Sequence, residues 1–167
     1  SIEAMKTIAF EIAEQLTSIQ GVQETNPDLP WRTPDWYVQA ISGGMGPIGV
    51  YKGFREMKQM GWTDRIPAFA PIQAEGCAPM AHSWKKGLEK AEPVLSPMTR
   101  IETLATGDPG RAYEFLREYV NSTNGVFESV ADEEAFRAMH VLAKMEGISA
   151  EPAAGVSRTA PVRSGTV

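Results

Sequence analysis

At 167 residues, with 43% hydrophobic and 22% charged positions, the chain has the composition of a globular protein able to bury one sizeable core. Its net charge of −5 excludes a general nucleic-acid binder, and no basic run marks a local patch. The lone cysteine, Cys77, excludes a disulfide framework and a cysteine metal cluster; no apolar run approaches membrane-spanning length and no secretory pattern appears, so a reducing cytoplasm is the expected compartment.

The chain starts at Ser1 rather than Met and goes almost at once into a helical pattern, so it reads as an excerpt from a longer protein. Met5, Ile8, Ala9, Ile12, Ala13 and Leu16 recur at helical spacing, with Glu11, Glu14 and Gln15 off the stripe. Gly21 is the expected stop of this helix. Residues 26–34 read as a loop held by Pro27, Pro30 and Pro34, with Trp31 and Trp36 flanking it as packing anchors. Residues 35–41 are the first predicted strand. A glycine loop follows, then a helix to about Met60 that Gly61 caps.

Residues 67–73, PAFAPIQ, read as a second strand; Pro71 inside it removes a ladder donor and favours a sheet edge or a bulge. Strand, helix, strand in this order predicts a parallel crossover. A short helix over 81–86 carries His82, expected to be solvated, and 89–97 is loop. Asp108 followed by Pro109 reads as a helix start, with Ala112, Phe115, Leu116 and Tyr119 on the buried side. Asn124 and Gly125 make a turn before a third strand at 126–130. Asp132, Glu133 and Glu134 suit the first turn of the next helix, where the dipole favours carboxylates. Ala135, Phe136, Met139, Leu142 and Ala143 should face the core, and His140 should be partly exposed. Gly147 ends that helix, 148–150 suggests a brief strand, Glu151 and Pro152 open a small-residue segment, and from Arg158 the tail is polar. The alternation predicts an α/β fold with a mostly parallel sheet and no internal repeat.

The chemistry concentrates in residues 38–50, VQAISGGMGPIGV. Val38, Ala40 and Ile41 suit a buried strand. Gly43, Gly44 and Gly46 permit positive φ and close approach of an anion, and Pro47 fits a first helical turn, where its missing N–H is not needed. Strand, glycine loop and helix N-terminus make a phosphate cradle; the plain alternative is a tight turn with no ligand. Gly44, Gly46 and Gly49 also spell G-x-G-x-x-G, but the acid a dinucleotide site wants is misplaced: Glu75 ends the next strand roughly thirty residues on, and Asp64 precedes that strand. A single phosphate monoester fits better, and pyridoxal phosphate is such a ligand.

Five stretches carry a family resemblance: MKTIAFEIAEQL (5–16), PDWYVQAISGGMGPIGVYKGF (34–54), IQAEGCAP (72–79), IETLATGDP (101–109) and MEGISAEPAAG (145–155). In this order they resemble threonine synthase and its relatives among the pyridoxal-phosphate enzymes of the tryptophan synthase β fold. The resemblance implies a three-layer α/β fold with a mostly parallel sheet. It implies residues 1–157 as part of the large, cofactor-binding domain, with 158–167 an irregular tail. Ser42, Gly43, Gly44, Met45 and Gly46 match the family loop that holds the cofactor phosphate through backbone N–H groups. That loop is often G-N-G-G-N; Ser42, Met45 and Gly46 depart from it, so the side-chain amides expected there are missing and Ser42 must serve. Glu151 matches a segment near the cofactor ring.

The same resemblance implies a lysine that holds the cofactor, in an S-x-K-x-R-like segment upstream of the first helix. Lys6, Lys52, Lys58, Lys85, Lys86, Lys90 and Lys144 all stand in other contexts, so no catalytic residue is expected in this chain. The implied parent is a cytoplasmic lyase of amino-acid metabolism, threonine synthase-like (O-phosphohomoserine to threonine). Its partners would be a small amino-acid substrate, neither nucleic acid nor membrane, and in a homodimer a second copy. Cysteate synthase or another β-replacement or elimination enzyme, a non-catalytic small-anion binding module, and an NAD-binding oxidoreductase domain are the alternatives.

Overall fold

The computed structural model describes residues 2–19 and 31–159. They form α1 (Ile2–Ile19), β1 (Trp36–Ala40), α2 (Met45–Gln59), β2 (Ala68–Ala74), α3 (Pro79–Lys85), α4 (Ala112–Ser122), β3 (Glu128–Val130), α5 (Asp132–Glu146) and α6 (Pro152–Thr159), with 3-10 turns at Glu75–Cys77 and Glu102–Leu104. Gly21, Pro27 and Pro30 lie outside the described residues. The strands form one parallel sheet ordered β1-β2-β3, Trp36 opposite Ala68 and Ile72 opposite Glu128. The crossover expected between the first two strands is therefore present.

The order corrects the expectation for Pro71: β2 is the central strand, not an edge. Ala68 N–H donates to the Asp35 carbonyl at 2.9 Å and Ile41 N–H to the Ile72 carbonyl at 2.8 Å, so even-numbered residues of β2 bond towards β1. Val126 N–H donates to the Phe69 carbonyl at 3.0 Å, so odd-numbered residues bond towards β3. The missing N–H of Pro71 therefore falls on the β3 side, one residue before that ladder begins at Ile72.

Alternation also divides the side chains between two cores. Phe69 packs with Tyr37, Phe54, Met57, Tyr113 and Leu116 beneath α2, α3 and α4. Ala70, Ile72 and Ala74 pack with Val130, Ala135 and Val156 beneath α5 and α6. The sheet is thus the middle of three layers.

Two predicted helix faces hold in part: Ala112, Leu116 and Tyr119 of α4, and Ala135 and Phe136 of α5, do pack on the cores. In α4 the buried residues are Tyr113, Leu116 and Val120, whereas Phe115 is exposed beneath the Arg111 guanidinium, 5.5 Å from its ring centre. The Tyr113 hydroxyl donates to the Leu88 carbonyl at 2.8 Å, which anchors that register. In α5, Ala135 and Ala138 are buried and Ala143 is exposed. The helix expected from Asp108 begins only at Ala112, because Asp108 Oδ1 accepts from Gly110 N–H at 2.9 Å and Gly110 takes φ +53°. Residues 148–150 form no strand, and Ile148 stays exposed. Helix α6 runs through Thr159, past the expected start of the tail. Gly61 does cap α2, at φ +72° with its N–H on the Lys58 carbonyl at 3.1 Å. Trp31 packs edge-on against Trp62 at 4.9 Å, as an anchor.

Helix α1 lies on α2 across Gly49 and Gly53. Four charges clasp the pair: Lys6 meets Glu56 at 2.7 Å and Glu3 at 2.9 Å, and Lys52 meets Glu3 and, at 3.5 Å, Glu56. Hydrogen bonds from Lys52 and Lys6 pull the Glu3 carboxyl below its ordinary range, and the Lys6 bond does the same for Glu56. A carboxyl depressed in the folded state contributes stability above its unfolded pKa and loses it as pH falls through the folded value. Acidification through and below the usual carboxylate range should therefore loosen α1. Hydrogen exchange of residues 2–19 measured down that range checks this, and Glu56→Gln should flatten the response.

Candidate functional site

Strand β1 stops at Ala40 and its pairing with β2 continues through Ile41. Residues 42–44 then bend, and α2 begins at Met45, two residues before Pro47. Gly44 is the N-cap, at φ +84° and ψ 4°. This left-handed conformation disfavours a residue with a Cβ. Among the three loop glycines only Gly44 has positive φ, which corrects the expectation for Gly43 and Gly46. A Cβ on Gly43 would touch Thr106 Cγ2 at an ordinary 3.8 Å, while one on Gly44 would meet Leu116 Cδ1 at 2.8 Å and Met80 Cε at 3.0 Å. Gly46 is the second helical residue, with Gln39 packed against it.

The chemistry of the turn follows from where the helix starts. First-turn N–H groups have no intrahelical carbonyl to meet, and the helix dipole places its positive end there. Pro47, third in the helix and buried, forgoes a donor that would have been unpaired within the helix anyway. Gly44, Met45 and Gly46 supply the rest. Residues 42–46 are thus one continuous turn that fits a phosphate: first-turn N–H groups, open space where Gly43 carries no Cβ, and a hydroxyl at Ser42. Met45 is 52% exposed, so its side chain leaves the turn open.

Three supporting residues were not singled out from the sequence. Thr106 and Ser42 share a hydrogen bond between their hydroxyls, which ties the loop to the segment after the second 3-10 turn. Gln39 lies under the first turn of α2. Gln73, fully buried on β2, accepts from Met80 N–H at 2.9 Å and Ala81 N–H at 3.1 Å. It caps α3, whose own N-cap residue is Ala78, and so fixes Met80 against Gly44. Only Gln73 left a local signal, a polar residue in an apolar strand.

Gln73→Leu strips the acceptor from two buried N–H groups. Its Nε2, which has no partner among the described residues, goes too and offsets part of the loss. The net expectation is a destabilisation of about 1–3 kcal/mol, read by urea unfolding.

Glu151 is exposed at the start of α6, its carbonyl accepting from Ala154 N–H at 3.0 Å. No hydrogen bond among the described residues joins it to the loop; α6 is instead tied to β1 by Ala40 N–H donating to Ser157 Oγ at 2.7 Å. His82 and His140 are exposed. A polar cleft of about 380 Å³ opens at the carboxyl ends of β2 and β3, lined by Glu75, Arg100, Asp132 and Glu133 among others. Two of its carboxylates are engaged within it: Asp132 accepts from Thr99 Oγ1 at 2.7 Å and Arg100 N–H at 2.6 Å, and Arg100 meets Glu133 at 2.8 Å.

Residues 1–164 match the family described as pyridoxal-phosphate dependent enzyme. The chain belongs to this family. Among curated proteins, the threonine synthase of Methanosarcina acetivorans is 36% identical over 156 residues, covering 93% of this chain and 35% of that protein. The threonine synthase of Methanocaldococcus jannaschii is 32% identical over the same shares of both chains. This pyridoxal-phosphate enzyme chain therefore spans about a third of the length of the curated relatives it matches. Among solved structures, a fungal L-serine ammonia-lyase from Rhizomucor miehei superposes with a TM-score of 0.71 at 18% identity, over 95% of this chain and 43% of that one. Maize serine racemase gives 0.70 at 18% identity, over 98% and 43%. Both show the same fold. Among the described residues, no helix is long and apolar enough to cross a membrane.

Proposed function

We propose that residues 42–46 grip the phosphate of pyridoxal phosphate in a threonine synthase-like lyase that converts O-phosphohomoserine and water to threonine and inorganic phosphate. The observation that carries the reading is similarity to threonine synthases across 93% of the chain, centred on a strand–glycine–helix turn. Gly44, Met45 and Gly46 offer N–H groups at the positive end of α2, and the Ser42 hydroxyl adds a polar contact steadied by Thr106. Met80 and Leu116 close the apolar side behind Gly44. When bound, the cofactor is an electron sink for the substrate α-carbon. Glu151, by family resemblance, stands towards the cofactor ring, and residues 1–157 form part of the large domain. The setting in this reading is cytoplasmic and the assembly a homodimer.

The test is turnover by the full-length protein loaded with pyridoxal phosphate. Threonine and phosphate released in equal amounts from O-phosphohomoserine support the reading. Failure on that substrate with turnover of another activated amino acid would move the assignment to a relative such as cysteate synthase.

A further inference from the structure

The carboxamide of Gln39 occupies the place that a side chain at position 46 would fill. A Cβ on Gly46 would lie 2.6 Å from Gln39 Nε2, 3.2 Å from Oε1 and 3.3 Å from Cδ. Gln39 projects from β1 on the face that carries Tyr37 and Ile41, so it rises from the sheet under α2. Its amide is held by Tyr37. The Tyr37 hydroxyl donates to Oε1 at 2.9 Å. Tyr37 is 9% exposed, and burial pushes its phenol up to about 12, so it remains a donor throughout the neutral range. With Oε1 turned to Tyr37, the Nε2 end is the one set against Gly46.

A donor is missing beside that position, at Pro47. Pro47 removes one N–H from the first turn of α2, and the side chains at 43, 44 and 46 are absent. An amide whose N–H end lies beneath this turn adds positive potential where a phosphate would sit. We propose that Gln39 is a positioning residue of the phosphate site: it seats the first turn of α2 on its carboxamide and supplies from the strand the amide that position 46 lacks. The inference rests on reading residues 42–46 as the cofactor-phosphate cradle. Gln39 and Gly46 then form an exchange pair, in which an amide enters the space from either side and not from both.

The test uses the full-length protein freed of cofactor, with affinities for pyridoxal phosphate and for pyridoxal measured side by side. Their ratio isolates the phosphate contribution. Gln39→Glu keeps shape and the bond from Tyr37 but sets an oxygen in place of Nε2. It should weaken pyridoxal phosphate by about tenfold or more, leave pyridoxal unchanged, and move the phosphorus NMR signal of the bound phosphate. Gly46→Asn alone should weaken pyridoxal phosphate by crowding, and Gln39→Ala with Gly46→Asn should recover most of the affinity. An unchanged ratio in Gln39→Glu and in Gln39→Met, an unbranched apolar side chain of similar length, overturns the proposal, as does an equal loss for both ligands, which marks a merely structural residue. In either case Gly44→Val decides the cradle reading separately: if it destroys the preference for pyridoxal phosphate the cradle stands without Gln39, and if it does not the cradle itself is wrong.

Discussion

Gly44→Val is expected to abolish tight pyridoxal-phosphate binding by the full-length protein. Two independent penalties meet at this residue. The first is conformational: φ +84° is a region that a β-branched residue enters at a cost of about 1–3 kcal/mol. The second is steric. The new Cβ would stand 2.8 Å from Leu116 Cδ1 and 3.0 Å from Met80 Cε. Leu116 is buried in α4, and Met80 is buried with its backbone held by Gln73, so neither retreats freely. Overpacking of this kind costs a further ~1–3 kcal/mol. Relief comes most readily by rotating the 42–44 turn, which drags the first N–H groups of α2 out of line. A loss of about a hundredfold or more in cofactor affinity follows, measured by titrating the cofactor-free protein. Gly43→Ala is the internal control, since its Cβ would make only a 3.8 Å contact and its φ is not positive. An unchanged affinity in Gly44→Val would remove the turn from the cofactor site.

Gly49→Val is expected to detach α1. A Cβ at Gly49 would lie 2.4 Å from Met5 Cβ and 2.5 Å from the Ile2 carbonyl oxygen. The second contact is with backbone, so no rotamer change relieves it and α1 must lift. One turn on, Gly53 has the same relation to α1, with Ala9 Cβ at 2.8 Å. The fully buried residues of α1 are Ala9 and Ala13, small side chains whose contacts vanish over a short displacement. The clasp of Glu3, Lys6, Lys52 and Glu56 separates with them. The expected destabilisation is about 3 kcal/mol or more. Hydrogen exchange should localise it, with residues 2–19 losing protection first while β2, at the centre of the sheet, holds. Equal protection of α1 in variant and parent would show that α1 stays docked and that the contact accommodates a side chain at position 49.

The turn was legible in the sequence for a local reason. An apolar run, three clustered glycines and a first-turn proline restrict the backbone wherever the chain goes, so β1, the loop and α2 appear within a few residues of their expected places. The parallel pairing of the first two strands followed because a helix lies between them. The family's five stretches carried the cofactor, which no local pattern specifies beyond a phosphate.

Long-range structure decided the rest. The periodicity of α4 admits more than one apolar face; packing of Tyr113 under the Leu88 loop chose the one that leaves Phe115 outside. The central place of Pro71 depends on where the β3 ladder begins, a register that no residue near Pro71 encodes. Ser42 and Thr106 are 64 positions apart, and only folding brings their hydroxyls together. Gln39 is close to Gly46 in sequence, yet its role also needed the folded structure, because the strand must turn under the helix before one residue's side chain can occupy the space that the other leaves empty. The chain by itself determined which backbone segments could form an anion-binding turn; the tertiary structure determined which side chains support it, because backbone preference is local and side-chain proximity is not.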